Sequence, residues 1–190
     1  MHFVAKLKGH SLVMHYQVND RKSGNFLWIM GMAGVGKTTL AEKIFNNLRQ
    51  QNEIVIWLDG DTLREALKIS GHSLSERREA GLKYLGIASI LTGQGFNVIL
   101  SSVGMQQIFQ EIGQELIPNY FQILVKVDLS DLKSLNSRNF YYNGEVNVMG
   151  KDLKIESLEY DLIYENKFTS DDELIIRQCS NLLIYGMVEK

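Results

Sequence analysis

The nine residues GMAGVGKTT, Gly31 to Thr39, constrain this chain more than any other feature. They follow the apolar run NFLWIM and lead into LAEKIFNNLRQ, an amphipathic pattern at helical spacing. The pattern GxxxxGK[ST] carries chemistry only in that setting, where a strand turns through glycines into a helix. Glycines let backbone N–H groups wrap a phosphate, and the helix N-terminus adds a favourable dipole. Lys37 then reaches the β- and γ-phosphates of a nucleotide, and the Thr38 hydroxyl reaches magnesium. We therefore read Gly31, Ala33, Gly34, Val35, Gly36, Lys37, Thr38 and Thr39 as the seat of ATP and Mg2+, with Thr38 a metal ligand. The alternative, a glycine turn with an incidental lysine, is disfavoured by the strand-to-helix setting. Trp28 and Ile29 on the preceding strand are most simply core.

From Asn25 onward, short apolar strands alternate with helical patterns. The strands are NFLWIM, EIVIWLD, FNVILSS, YFQILVKVDL and YDLIYEN; the helices are KTTLAEKIFNNLRQQ, two across 62–92, one near 105–116 and one from about 170. This rhythm predicts an α/β fold with a mostly parallel five-stranded sheet and helices on both faces. Ligands of such sheets bind beyond the carboxyl ends of the strands. A chain of 190 residues with 45% hydrophobic content buries one substantial core, so residues 26–190 are expected to form one domain. Residues 1–25 read as an N-terminal arm or hairpin, with a strand suggested by the alternation in LVMHYQV, and 130–157 as a polar irregular stretch.

Twenty basic and 22 acidic side chains leave a formal charge of -2, which offers no general attraction for nucleic acid or an anionic membrane. Any anion must be caught locally. The single cysteine, Cys179, excludes an internal disulfide, fits a reducing compartment and reads as a core residue. No apolar run reaches the length of a signal peptide or a membrane span, so a cytoplasmic location is expected.

The strand EIVIWLD runs into GDTLREAL and delivers Asp59 and Asp61 at its carboxyl end. Two acids there can divide the work: Asp59 holding magnesium through water, and Asp61 accepting a proton from an attacking hydroxyl. Gly60 between them allows a tight turn. The alternative for Asp61 is an N-cap of the following helix. Arg64 lies one helical turn further on, and SERREAG brings Arg77 and Arg78 near the start of a long helix. Arginine presents a planar fork to an anionic acceptor, though such a charge run can also be a solvated face. His72 reads as a surface or stacking residue rather than a metal ligand, because His2, His10 and His15 lie in the arm and no ligand spacing is present.

The segments GMAGVGKTT, LDGDTLREAL and GHSLSERRE, in this order and spacing, resemble the adenylylsulfate kinases, which move the γ-phosphate of ATP to the 3′-hydroxyl of adenosine 5′-phosphosulfate. The later IPNYFQILVKVDL, NGEVNVMGKDL and YDLIYEN are similar to members associated with surface-polysaccharide pathways. The resemblance implies a P-loop kinase fold in which Lys37, Thr38 and Thr39 hold MgATP, Asp59 and Asp61 serve magnesium and the acceptor hydroxyl, and Arg64 and Arg77 hold the acceptor nucleotide. His72 falls where the family places an aromatic ring against the acceptor base. In this chain Ala80 replaces the asparagine that follows the glutamate of the arginine-rich helix. Where the family has arginines after the third strand, this chain has Ser101, Ser102, Gln106 and Gln107; no lysine or arginine occurs from Tyr84 to Val125. The lid positions hold Leu135 and Asn136, leaving Arg138 and Lys151 as the basic residues there. These departures bear on the acceptor and leave the nucleotide seat untouched.

The resulting expectation is a kinase that transfers the γ-phosphate of ATP to a ribose 3′-hydroxyl of a small nucleotide-type acceptor, with Lys37 and Asp61 catalytic. Arg64, His72, Arg77, Asp61, Ser101 and Ser102 would line the acceptor side. Adenylylsulfate is the first acceptor on resemblance, and another activated nucleotide such as cytidine diphosphoramidate, in capsule biosynthesis, is the second. A nucleotide-binding module without transfer is the reading from another class. A hydrolytic switch is disfavoured, since no guanine-reading NKxD occurs. Nucleic acid and membrane are not expected partners, and a homodimer stays open.

Overall fold

The computed structural model describes residues 2–7, 10–15, 23–128, 156, 158–168 and 172–187. Strands β1 (His2–Leu7) and β2 (His10–His15) pair antiparallel as a hairpin, so the strand expected in LVMHYQV begins two residues earlier and has a partner. The main chain then runs β3 (Phe26–Met30), α1 (Lys37–Gln50), β4 (Val55–Asp59), α2 (Gly60–Ala66), α3 (Leu74–Gly93) and β5 (Asn97–Ser101). It continues through α4 (Gln107–Leu116), β6 (Tyr120–Lys126), β7 (Leu162–Glu165) and α5 (Glu173–Tyr185). The expected lid, with Leu135, Asn136, Arg138 and Lys151, lies outside the described residues.

Strands β3 to β7 form one sheet in the order β4-β5-β3-β6-β7, every neighbouring pair parallel. The chain lays β4 and β5 to one side of β3, then crosses over to place β6 and β7 on the other. The carboxyl end of β3 is therefore the centre of the sheet's top edge, where open α/β sheets bind ligands. Alternation along β3 sends its side chains into two cores. Phe26, Trp28 and Met30 pack with Ala80, Tyr84, Leu85 and Ala88 of α3 and Phe109 and Ile112 of α4. Leu27 and Ile29 pack on the opposite face with Leu40, Ala41, Ile44 and Leu48 of α1 and Ile175, Cys179, Leu182 and Leu183 of α5. Emptying such a site, as in Trp28→Ala, typically costs about 3–5 kcal/mol. Cys179 is fully buried, and burial pushes its thiol well above the usual cysteine range, which suits a core residue.

Local chemistry sets the helix ends. At α3, Ser73 and Glu76 form a reciprocal capping box, the Ser73 oxygen accepting from the Glu76 N–H and the Glu76 carboxylate accepting from the Ser73 N–H at 3.0 Å. The Ser73 hydroxyl, with the Ser73 N–H, donates to the Glu76 carboxylate and holds that carboxyl below the usual glutamate range. The cap starts α3 at Leu74, which places Arg77 and Arg78 in its first turn and a half.

Candidate active site

The phosphate loop joins β3 to α1 across the top of the sheet. Gly36, the N-cap of α1, has φ 94°, a conformation side chains rarely adopt, and a Cβ there would stand 2.4 Å from the Asn166 amide. Lys37 arches back so that its ammonium donates to the Met32 carbonyl at 2.7 Å. Val35 is fully buried and anchors the loop on the α1 and α5 side of the sheet. Thr38 and Thr39 stand exposed at the head of α1.

Two strands away, β4 ends on Asp59, whose two carboxylate oxygens are both engaged. Oδ2 accepts from the Thr38 hydroxyl at 3.1 Å and from the Ser101 hydroxyl at 2.9 Å. Oδ1 accepts from the Asp61 and Thr62 amides at 3.1 and 3.3 Å, so Asp59 is the N-cap of α2. The cap considered for Asp61 thus belongs to Asp59, and α2 begins at Gly60 rather than 62. Asp61 sits exposed in the first turn instead. Gly60 is required for a different reason than a tight turn. It is buried against the end of β5, where a Cβ would stand 2.7 Å from the Ser102 Cβ. A hydroxyl and a carboxylate 3.1 Å apart are hard oxygen ligands, which fit a magnesium ion that takes its remaining ligands from water and phosphate. Among the described residues no group of three or more His, Cys, Asp and Glu could hold a metal ion.

The two serines at the end of β5 point into opposite layers. Ser101, 2% exposed, accepts from the Trp57 indole at 3.0 Å and passes its own proton to Asp59. It stands behind Asp59, out of reach of an acceptor. Ser102, half-buried, accepts from the Trp28 indole at 2.9 Å, and a hydroxyl that accepts can still donate.

On the acceptor side, the Arg64 guanidinium donates to the Gly71 carbonyl at 2.7 Å and the Arg77 Nε to the His72 carbonyl at 2.9 Å. The loop between α2 and α3 therefore clamps both arginines through its backbone. Burial, with the nearby positive charge of Arg64, holds the Arg77 pKa below the usual arginine value; the group stays charged at neutral pH. Two like charges held together make a seat for an anion. His72 is exposed beside them. Arg78 turns the other way and donates to the buried Gln106 amide oxygen at 2.9 Å. At the start of α4 the Gln107 N–H donates to the Glu156 carboxylate, so this chain supplies its own anion at that helix terminus.

Tyr84 escaped the sequence reading. Its hydroxyl donates to the Gly60 carbonyl at 3.1 Å, between the two acids, and burial raises its pKa. The available signal was helical spacing, since Tyr84 falls seven residues after Arg77 on the same face of α3. Trp57 escaped too, since nothing in the apolar run EIVIWLD sets it apart.

The sequence profile of the family described as adenylylsulphate kinase matches residues 23–161. The chain is 30% identical over 160 residues to a cytidine diphosphoramidate kinase of Campylobacter jejuni, covering 80% of this chain and 94% of that one. It is also 30% identical over 138 residues to an adenylyl-sulfate kinase of Bacillus pumilus, covering 70% of each. The fold is similar to that of the Mycobacterium tuberculosis APS kinase CysC, solved in complex with AMPPNP and APS, with a TM-score of 0.76 at 20% identity over 86% of this chain and 99% of that one. With the family model matching most of the chain and a 30% identical relative covered over nearly its whole length, the protein belongs to the adenylylsulphate kinase family of P-loop phosphotransferases.

Proposed function

We propose that this protein transfers the γ-phosphoryl group of MgATP to the ribose 3′-hydroxyl of a nucleotide-type acceptor, residues 26–190 forming the kinase domain and 1–25 an added arm. The division of labour between the two acids carries the reading. Asp59 is committed to Thr38, Ser101 and the α2 amides, whereas Asp61 stands exposed one residue into the helix without the capping duty. Thr38 and Asp59 would hold the magnesium that offsets charge on the phosphates. Lys37 would swing from Met32 to the transferring group, and Arg64 and Arg77 would hold the acceptor's anionic part. Asp61 would take the proton as the acceptor oxygen bonds to the γ-phosphorus and the bridge to the β-phosphate breaks, releasing ADP. A panel of nucleotides and nucleotide conjugates with MgATP, scored for ADP release over an enzyme-only blank, tests this. Acceptor-dependent release is expected; blank-level release throughout would leave a non-catalytic nucleotide binder.

The acceptor is one for which adenylylsulfate is a poor surrogate, and Glu156 supports this. A carboxylate on the α4 terminus takes up the helix dipole there and repels a second anion, while Arg78 is turned to Gln106. Ser102 remains as a neutral donor. An activated nucleotide whose distal group carries N–H donors suits a carboxylate wall better than an all-acceptor sulfate does, and cytidine diphosphoramidate, named for the Campylobacter jejuni relative, has such an amide. The expected kcat/KM for adenylylsulfate lies below about 10⁵ M⁻¹s⁻¹, and a higher value would restore the plain family substrate. Assembly as a homodimer and a cytoplasmic location belong to the same reading. Light scattering and cell fractionation test them; no described helix is long and apolar enough to cross a membrane.

A further inference from the structure

The sheet order leaves the phosphate loop with two distinct flanks. The phosphate loop rises from β3 at the centre, and the acids and arginines lie on the β4 and β5 side. The other flank of the loop is met by Asn166, the last residue of the YDLIYEN segment, just past β7.

Asn166, the first residue past β7, has each of its polar groups assigned. Its N–H extends the parallel ladder by donating to the Lys126 carbonyl at 2.8 Å. Its Oδ1 accepts from the Phe168 N–H at 2.8 Å, an Asx-type turn that holds Phe168 at φ 55°. A backbone N–H can only donate, so this bond decides which end of the amide is oxygen. The Nδ2 end therefore faces the phosphate loop, where it donates to the Val35 carbonyl at 2.9 Å and lies against Gly36.

In a trans peptide the C=O and the N–H point in opposite directions. Holding the Val35 oxygen from outside the loop thus turns the Gly36 N–H inward, toward the hollow where the phosphates bind. Gly36 at φ 94° has no side chain to restrict that peptide, and glycine has the widest backbone freedom of any residue. Resting on the kinase reading above, we infer that Asn166 is a positioning residue for the phosphate loop, fixing the Val35–Gly36 peptide so that the Gly36 N–H is already aimed at the β-phosphate of the donor nucleotide. Behind it, the Tyr164 hydroxyl lies 3.5 Å from the Asn166 Oδ1 and bonds to Asp172, which also pairs with Lys43 of α1. The clamp is therefore braced against the helix that the loop leads into.

Calorimetric titration of the full chain with MgADP, beside thermal melts, tests the assignment. Loss of one neutral hydrogen bond predicts roughly three- to tenfold weaker MgADP binding for Asn166→Ala. Asn166→Asp keeps the shape but faces the Val35 carbonyl with an acceptor, and is expected to bind MgADP at least as weakly as the alanine variant. Tyr164→Phe, which alters only the brace, is expected to stay within twofold of the parent. Once an acceptor is identified, both Asn166 variants should raise the KM for ATP and leave the KM for the acceptor in place. A packing role alone gives the reverse order, with Asn166→Asp like the parent and Asn166→Ala impaired, and that order overturns the inference. Parent-like MgADP affinity in both variants overturns it as well. The titration needs no acceptor, so a panel in which nothing is phosphorylated would remove the kinase reading without touching this result.

Discussion

In the reading proposed above, the donor side rests on nine consecutive residues with Asn166 at their flank, whereas the acceptor side would draw on α2, the α2–α3 loop, the start of α3, the β5–α4 loop and Glu156. On the donor side the critical groups are backbone N–H, a lysine and a threonine whose spacing is set by one turn and one helix start. On the acceptor side Arg64 and Arg77 are held by the nearby Gly71 and His72 carbonyls, but Arg78 is held by Gln106, 28 residues on, and the α4 terminus is met by Glu156, 49 residues on. A contiguous device can be retained while a dispersed one drifts, because a change at one dispersed position alters the pocket without disturbing the loop. The family model matches residues 23–161, a span that holds the phosphate loop and the α2 to α4 segments alike.

Removing the proton acceptor should give the largest effect and locate chemistry on the acceptor side. Asp61→Asn is expected to lower kcat by about 10²–10⁴-fold while MgATP binding persists, measured by steady-state rates and calorimetry. Asp59→Asn should instead raise the magnesium requirement and leave α2 capped, since asparagine caps as well as aspartate. Equal and mild effects from the two would erase the division between them.

Lys37→Ala breaks the donor side itself. Losing the fixed cation aimed at the transferring phosphate predicts a fall in rate of about 10²–10³-fold with every acceptor. The melting temperature should hold, because the ammonium bonds to a carbonyl at the loop surface and the core is untouched. Near-normal activity would remove the phosphate-loop assignment.

Arg64→Ala and Arg77→Ala sharpen the comparison from the other half. Each charged hydrogen bond to an anion contributes about 1.5–3 kcal/mol, so each variant should raise the KM for the acceptor by roughly ten- to a hundredfold while the KM for ATP moves less than threefold. A rise in the KM for ATP instead would place the arginines on the donor side.

The smallest effect concerns acid stability. Burial by itself would raise the Asp172 carboxyl, but bonds from Lys43 and Tyr164 outweigh it and hold its pKa below the usual aspartate value. A depressed folded-state pKa contributes stability that is present above the unfolded value, near pH 4, and is lost as the pH falls through the folded value. Melts between pH 3 and 6 should therefore show a steeper acid limb in the parent than in Lys43→Met. Identical limbs would show that the pair adds nothing to the bracing of α1 against α5.

What this protein's sequence determined by itself is whatever lies in contiguous residues: the glycine loop, the alternation that divides β3 between two cores, the strand–helix rhythm behind the parallel sheet, and the ordered segments that mark the family. Local backbone geometry and short-range periodicity generate these, and both can be read along the chain. The tertiary structure decided what the second oxygen of the capping acid meets, because Ser101, which donates to it, lies 42 residues away in the sequence. It turned Ser101 behind the acid and gave Ser102 to Trp28 across 74 residues, removing the equivalence of two adjacent serines. It also brought Asn166 to Val35 across 131 residues, a pairing no spacing could announce. Hydrogen bonds of this kind form only after sheet register and helix packing have set both partners, so the direction of a side chain at the site is a property of the folded whole.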